Sequence, residues 1–262
     1  MERKHTFRHP AKLERLPRLC EAKSPLGVTI VSPSYLEMAK EAVARFRRYT
    51  GLDVVSIQVD DTAGYGAKLC LDEYLPPRPI VFFDADLWLL RQYDFTALAQ
   101  SENFCAVACP GAWNPEAFPH TDSEREGWNK ATYFNSGLFA CDLAQPHIRQ
   151  IFADARTRLT ECRLGKVTEP VDTTDQYFLN WAVQRQLKTL HLLPFELNFF
   201  KMAVDWGGYP HIPREIIGLH AAGVVVSSKL AKLQREAEVF GEQVGAMQPE
   251  AVQYHASLRG AA

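Results

Sequence analysis

Nowhere in the chain do apolar residues run for the roughly 20 positions that a bilayer-spanning helix needs, and the N-terminus has no apolar signal core. The sequence therefore reads as a soluble protein. A dominant charge is missing too, since 29 basic and 31 acidic side chains leave a formal net charge of −2. Without a global positive field, nucleic acid is not an expected partner and anionic lipid exerts no overall pull. The six cysteines, Cys20, Cys70, Cys105, Cys109, Cys141 and Cys162, nowhere form the close paired spacing of a zinc site or a redox dithiol. Reduced thiols in a cytoplasmic setting fit this usage, with Cys105 and Cys109 packed as small hydrophobes on one strand face. Internal repeats and low-complexity tracts are absent as well. The segment after the first apolar strand, VSPSYLEMAK, has no glycine and little positive charge, which argues against the triphosphate-holding loop of a nucleotidyltransferase.

What is present is enough apolar material for a substantial core: 47% of 262 residues are hydrophobic. We read one domain over residues 24–240, preceded by a basic leader (1–23) and followed by a tail (241–262). The leader carries seven Lys or Arg and three Glu. It reads as a solvated segment packed loosely on the domain, with peripheral attachment to the inner face of a membrane as the most it would support.

From Gly27 the pattern is regular. GVTIVS reads as a strand, residues 35–49 as a helix with Met38, Ala42, Val43 and Phe46 at helical spacing, and residues 52–59 as a second strand. Residues 65–74 read as a helix stopped by Pro76 and Pro77, and the apolar strand IVFF follows. Strands alternating with helices predict an α/β fold built on a mostly parallel, Rossmann-like sheet, whose strand ends are where ligands bind. Residues 106–130 have Trp113, Trp128 and no clear period, which marks a candidate acceptor-side loop. Beyond it come the apolar stretch TYFNSGLFACDL, helices over 146–162 and 172–186, and short strands over 189–193 and 216–219. The C-terminal portion is smaller and less regular.

The strand IVFF runs directly into Asp84, Ala85 and Asp86. In extended chain the two carboxylates project to one side, about 6 to 7 Å apart at Cα, while Ala85 faces the protein. Paired carboxylates at the end of a buried strand suit a divalent cation. Three later segments bear on the pair. In FNSGLF, Asn135 and Ser136 interrupt an apolar run, either as a bulge or as polar groups for a ligand at the sheet edge. In VDTTDQYFLN, Asp172 is a good N-cap, and Asp175 with Gln176 falls in the first helical turn. In IIGLHAAG, an apolar strand delivers His220 ahead of Gly223. An imidazole joining two carboxylates would complete a mixed oxygen and nitrogen site, which suits Mn2+ better than Mg2+.

These segments, in this order, resemble glycosyltransferase family eight, the retaining nucleotide-sugar enzymes of the glycogenin and lipopolysaccharide galactosyl- and glucosyltransferase group. That family shows D-x-D, FN-[SA]-G, D-Q-D and H-x-x-G-x-x-K-P-W; the counterparts here are Asp84–Asp86, Phe134–Gly137, Asp175–Gln176 and His220–Gly223. The resemblance implies a GT-A fold, a Mn2+ (alternatively Mg2+) held by Asp84, Asp86 and His220, and a UDP-hexose donor. It also implies donor contacts at Lys68, Asp84, Ala85, Asp86, Asn135, Ser136, Gly223 and Lys229, with Asp175 and Gln176 at the reacting centre. The acceptor would be a glycan, a lipid-linked sugar or a protein side chain. The chain departs from the family where Lys-Pro-Trp is absent, leaving Lys229 three positions late, and where Tyr177 replaces the third residue of D-Q-D. Two rival readings are a haloacid dehalogenase-type phosphohydrolase, which wants Thr or Val where Trp88 stands, and a non-catalytic sugar-nucleotide-binding protein.

Overall fold

The computed structural model describes residues 12–13, 24–61, 64–109, 132–168, 175–186, 189–205, 212–223 and 225–242. Trp113, Trp128, Trp206, Asp172, Cys20, most of the basic leader and the tail from residue 243 lie outside these residues.

A seven-stranded sheet organises the chain, in the order β1 (Lys12–Leu13), β3 (Val54–Gln58), β2 (Leu26–Val31), β4 (Pro79–Phe83), β7 (Phe134–Asp142), β6 (Phe104–Ala108) and β8 (Leu190–Leu193). β3, β2, β4, β6 and β8 run one way, while β1 and β7 oppose them. The sheet is thus mostly parallel in strand direction, and β7 is the antiparallel insert between β4 and β6. A separate two-stranded pair is formed by β5 (Leu87–Leu89), which follows the central strand β4, and β9 (Gly218–His220).

Both faces of the sheet are covered, which is why its strands read as unbroken apolar runs rather than as alternating ones. Neighbouring residues of β4 serve opposite layers, as a two-residue period requires. Phe82 packs with Phe139, Phe104 and Phe152 beneath the helices α4 (Pro146–Arg163) and α5 (Asp175–Gln184). Phe83 lies in the other layer, stacked on Phe46 of helix α1 (Leu36–Thr50) at 4.0 Å and 6°. α1 presents Met38, Ala42 and Phe46 inward at four-residue spacing. It stops at Gly51, whose φ of 72° is a left-handed conformation and whose N–H caps the Arg47 carbonyl.

Two expected elements differ in detail. The helix over 65–74 is a 3-10 run, Gly64–Cys70, followed by one turn of α-helix, α2 (Leu71–Tyr74). The strand expected over 216–219 begins at Gly218 and extends to His220, because Ile217 instead donates to the Glu196 carbonyl. A Cβ on Gly218 would meet the Leu197 carbonyl oxygen at 2.1 Å, so only glycine fits there. The remaining helices are α3 (Thr96–Ala99), α6 (Lys201–Asp205) and α7 (Val226–Glu242). No described helix is long and apolar enough to cross a membrane.

Candidate active site

Asp84 is the first residue beyond β4, and its N–H donates to the Gly137 carbonyl at 2.8 Å, so the bend at the strand end is anchored to β7. A tight turn follows, closed by the Leu87 N–H on the Asp84 carbonyl at 3.0 Å. The turn buries Ala85 against Val31 and Ala39 and leaves both carboxylates on the other side. β5 then pairs antiparallel with β9, with Leu87 opposite His220. That pairing, with the Ala221 N–H on the Asp86 carbonyl at 3.1 Å, returns the imidazole to the carboxylates. His220 Nε2 lies 3.7 Å from Asp84 Oδ2 and 3.4 Å from Asp86 Oδ1.

Asp84, Asp86 and His220 each offer one ligand atom, and these atoms lie within 4.8 Å of one another. Two donors about 2.1 Å from a common ion, at 90 to 120° to each other, would be about 3.0 to 3.6 Å apart. The His220–Asp86 distance of 3.4 Å falls in that span and the His220–Asp84 distance of 3.7 Å just beyond it, so small side-chain rotations would bring the three groups onto one divalent cation. Gly137 makes room for the ring: a Cβ there would meet His220 Cε1 at 2.5 Å and Asn135 Oδ1 at 2.8 Å.

Two lysines hold the carboxylates. Lys68, from the 3-10 run before α2, reaches Asp84 Oδ1 at 2.9 Å and Asp175 Oδ2 at 2.7 Å, and lies 3.2 Å from both the carbonyl and the hydroxyl of Ser136. Lys229, in the first turns of α7, donates to Asp86 Oδ2 and lies over the Tyr35 ring at 5.4 Å. Burial works against the Lys68 ammonium, but the Asp175 and Asp84 carboxylates outweigh it and hold its pKa well above the ordinary lysine range. For Lys229 the Asp86 carboxylate likewise overcomes burial and raises the pKa. The two aspartates move oppositely. Burial raises Asp84 despite Lys68, whereas at Asp86 burial is overcome by His220 and Lys229, and the pKa falls below the usual carboxylate range.

The opposite wall comes from β7 and α5. The Ser136 hydroxyl donates to Asp175 Oδ2 at 2.8 Å, and its N–H donates to Gln176 Oε1 at 3.1 Å. Gln176 Nε2 in turn donates to the Tyr133 hydroxyl at 2.9 Å, so both ends of this amide are committed. Asn135 Oδ1 accepts from the Gly137 N–H at 2.8 Å and from Asn198 Nδ2 at 2.7 Å. The structure therefore brings Lys68, Asp84, Asp86, Asn135, Ser136, Asp175, Gln176, His220 and Lys229 into one cluster, with Ala85 packed beneath it. Gly223, at φ 69°, forms the turn between β9 and α7.

Tyr133 and Asn198 complete the cluster but carry no motif of their own. The one signal for Asn198 is its position as a polar residue within FELNFF, an aromatic stretch where an amide needs a buried partner.

A mostly parallel sheet covered on both faces, with an antiparallel insert and a D-x-D turn at the end of a central strand, is the GT-A type of α/β fold. Solved structures with this fold include the galactosyltransferase LgtC in complex with donor and acceptor sugar analogues: 18% identity, TM-score 0.54, covering 87% of this chain and 99% of that one. WbbM, a bifunctional glycosyltransferase, matches at 12% identity and TM-score 0.56, covering 83% of this chain and 50% of WbbM. GlyE, a glycosyltransferase from Streptococcus pneumoniae TIGR4, matches at 14% and 0.52, covering 85% of this chain and 63% of GlyE. At these identities the likeness establishes the fold. No protein-family profile and no curated protein matches the chain.

Proposed function

We propose that this protein is a metal-dependent, retaining glycosyltransferase that moves a hexose from a nucleotide-sugar donor, UDP-glucose or UDP-galactose, to a hydroxyl of a glycan, lipid-linked or protein acceptor. The observation that carries the reading is the convergence of Asp84, Asp86 and His220 at the end of β4, in a fold shared with solved glycosyltransferases. The mixed oxygen and nitrogen set favours Mn2+, with Mg2+ as the alternative. A cation bound there supplies charge neutralisation for a departing diphosphate.

The chain's own groups do the rest. Asp84, Asp86 and His220 would hold the ion, and Lys68 bridges the Asp84 and Asp175 carboxylates and fixes their positions. Asp175 and Asn135, fixed in the cluster by Lys68, Ser136 and Asn198, orient the hexose hydroxyls. Gln176 lies beside the reacting carbon, fixed by Ser136 and Tyr133. An amide committed at both ends is a poor nucleophile, which favours displacement on one face of the sugar without a covalent enzyme adduct. The bond from the anomeric carbon to the leaving phosphate oxygen breaks as the acceptor oxygen bonds on the same face. The acceptor proton passes to that phosphate oxygen.

A thermal-shift screen of nucleoside diphosphates and their sugars, with and without Mn2+, tests the reading. The expected outcome is stabilisation by uridine compounds only when Mn2+ is present, with slow Mn2+-dependent donor hydrolysis that Asp86→Asn abolishes. Full hydrolysis in Asp86→Asn would overturn the assignment of the site, and turnover of a simple phosphomonoester would favour the phosphohydrolase. Metal-dependent donor binding without turnover under any acceptor would reduce the protein to a sugar-nucleotide binder.

A further inference from the structure

The cluster contains a feature that donor chemistry alone does not require. Asp86, a prospective ion ligand, is already in direct contact with the Lys229 ammonium, and both side chains are buried. Asp84 is paired in the same way with Lys68. The two pairs are not equivalent. Lys68 is held by three further acceptors, Asp175 and the carbonyl and hydroxyl of Ser136, whereas among the described residues Lys229 donates to one carboxylate, that of Asp86. Lys68 is thus built in, and Lys229 hangs on a single anion.

We infer that Lys229 is an exchangeable counter-ion: its ammonium occupies Asp86 when no cation is bound, and it must leave when Asp86 ligates a divalent ion, becoming free to pair with the diphosphate of the donor. The inference rests on the proposed metal site and adds to it a coupling between the two ligands. A cation alone must displace a buried ammonium and leave it without an anion, which weakens cation binding. A diphosphate supplies that anion, so the two ligands strengthen each other, and by linkage each does so by the same factor. The charges support this order. Asp84, Asp86 and Asp175 against Lys68 and Lys229 leave one formal negative charge, so the cluster is nearly neutral before any cation arrives. Lys229 also sits at the start of α7, directly after the β9 turn at Gly223, so its movement swings one side chain over Tyr35 without unpairing β5 from β9.

The test uses Mn2+ alone, followed by electron paramagnetic resonance of the free ion, on the full chain. In Lys229→Met, Mn2+ should bind at least about tenfold tighter than in the wild type, within the usual span of coupling between sites. Lys229→Arg, which keeps the competing charge, should remain near the wild-type affinity. Mn2+ should raise the melting temperature more in Lys229→Met than in the wild type, because the unpaired Asp86 gains a partner. Repeating the titration with UDP present should show the strengthening of Mn2+ by UDP to be at least about tenfold smaller in Lys229→Met. If Lys229→Met folds poorly, Lys229→Gln carries the same expectations. Unchanged or weaker Mn2+ binding in Lys229→Met and Lys229→Gln, with Asp86→Asn still abolishing it, would overturn the exchange and leave the metal site standing. Mn2+ binding that survives Asp86→Asn would overturn the metal site itself.

Discussion

A hydrogen atom in place of a side chain decides whether the histidine can join the carboxylates. At Gly137 an added methyl would press on both His220 and Asn135, two neighbours that are themselves buried and bonded or packed in place. Gly137→Ala should therefore cost about 1 to 3 kcal/mol by overpacking, read from urea denaturation. It should also weaken Mn2+ binding by roughly 10 to 100-fold, the range for losing a group that orients a ligand. A variant that loses stability but keeps Mn2+ affinity would show that the ring tolerates displacement. The residues of this region were unequally legible in the sequence. Asp84 and Asp86 stood out because an apolar strand ran into them, and Ser136 and Asp175 because polarity interrupted an apolar or helical pattern. Tyr133 and Asn198 did not, since an aromatic beside a strand and an amide at the end of a 3-10 turn become meaningful only when their partners 40 or more positions away are known.

At the scale of elements, helix α5 is fixed to strand β7 by its own side chains. Asn180 accepts from the Phe134 N–H at 2.9 Å and donates to the Phe134 carbonyl at 2.9 Å and to the Gln176 carbonyl at 2.8 Å. One turn earlier Gln176 holds the Ser136 N–H. The strand needs these partners because β4 pairs with β7 only as far as Phe83 opposite Leu138, so the edge of β7 from Phe134 to Ser136 takes its bonds from the helix. Asn180→Ala should orphan a buried N–H and a buried carbonyl and cost about 2 kcal/mol or more, measured by chemical denaturation. The sequence predicted α1 and β2 to β4 closely, because local periodicity and their flanking glycine or proline signals agree. It could not show β5 and β9 as partners. Three-residue strands have too little periodicity to announce themselves, and their pairing is decided by the tertiary fold.

For the whole molecule, two apolar layers on one sheet also set the chemistry of the thiols. Burial pushes Cys70 up to about 11 and Cys109 up to about 12, and it raises Cys105 and Cys141 as well. At pH 8 these groups are almost wholly protonated, so alkylation of the native protein followed by mass spectrometry should modify Cys162, the half-buried member among the described cysteines, well ahead of the other four. Raised folded pKa values also have a definite sign in stability. Their contribution is fully present below the ordinary thiol value of 9.0 and is lost as pH rises toward 11 and 12, because the unfolded chain releases protons that the folded one retains. Melting temperature should decline over that interval, and replacing Cys70 and Cys109 by Ala should flatten the decline.

The pairing of β5 with β9 bears on how the molecule comes into being. Leu87 and His220 are partners across half the chain, whereas β2, β3 and β4 follow one another within 58 residues, Leu26 to Phe83. Contacts of such long range close late in folding. The main sheet can therefore form and bury its aromatic layers before the imidazole arrives, which makes cation binding a report on completed folding. A chain ending just before Gly218 would keep every strand of the main sheet and lack His220, so that growth of Mn2+ affinity during refolding should trail the recovery of circular dichroism.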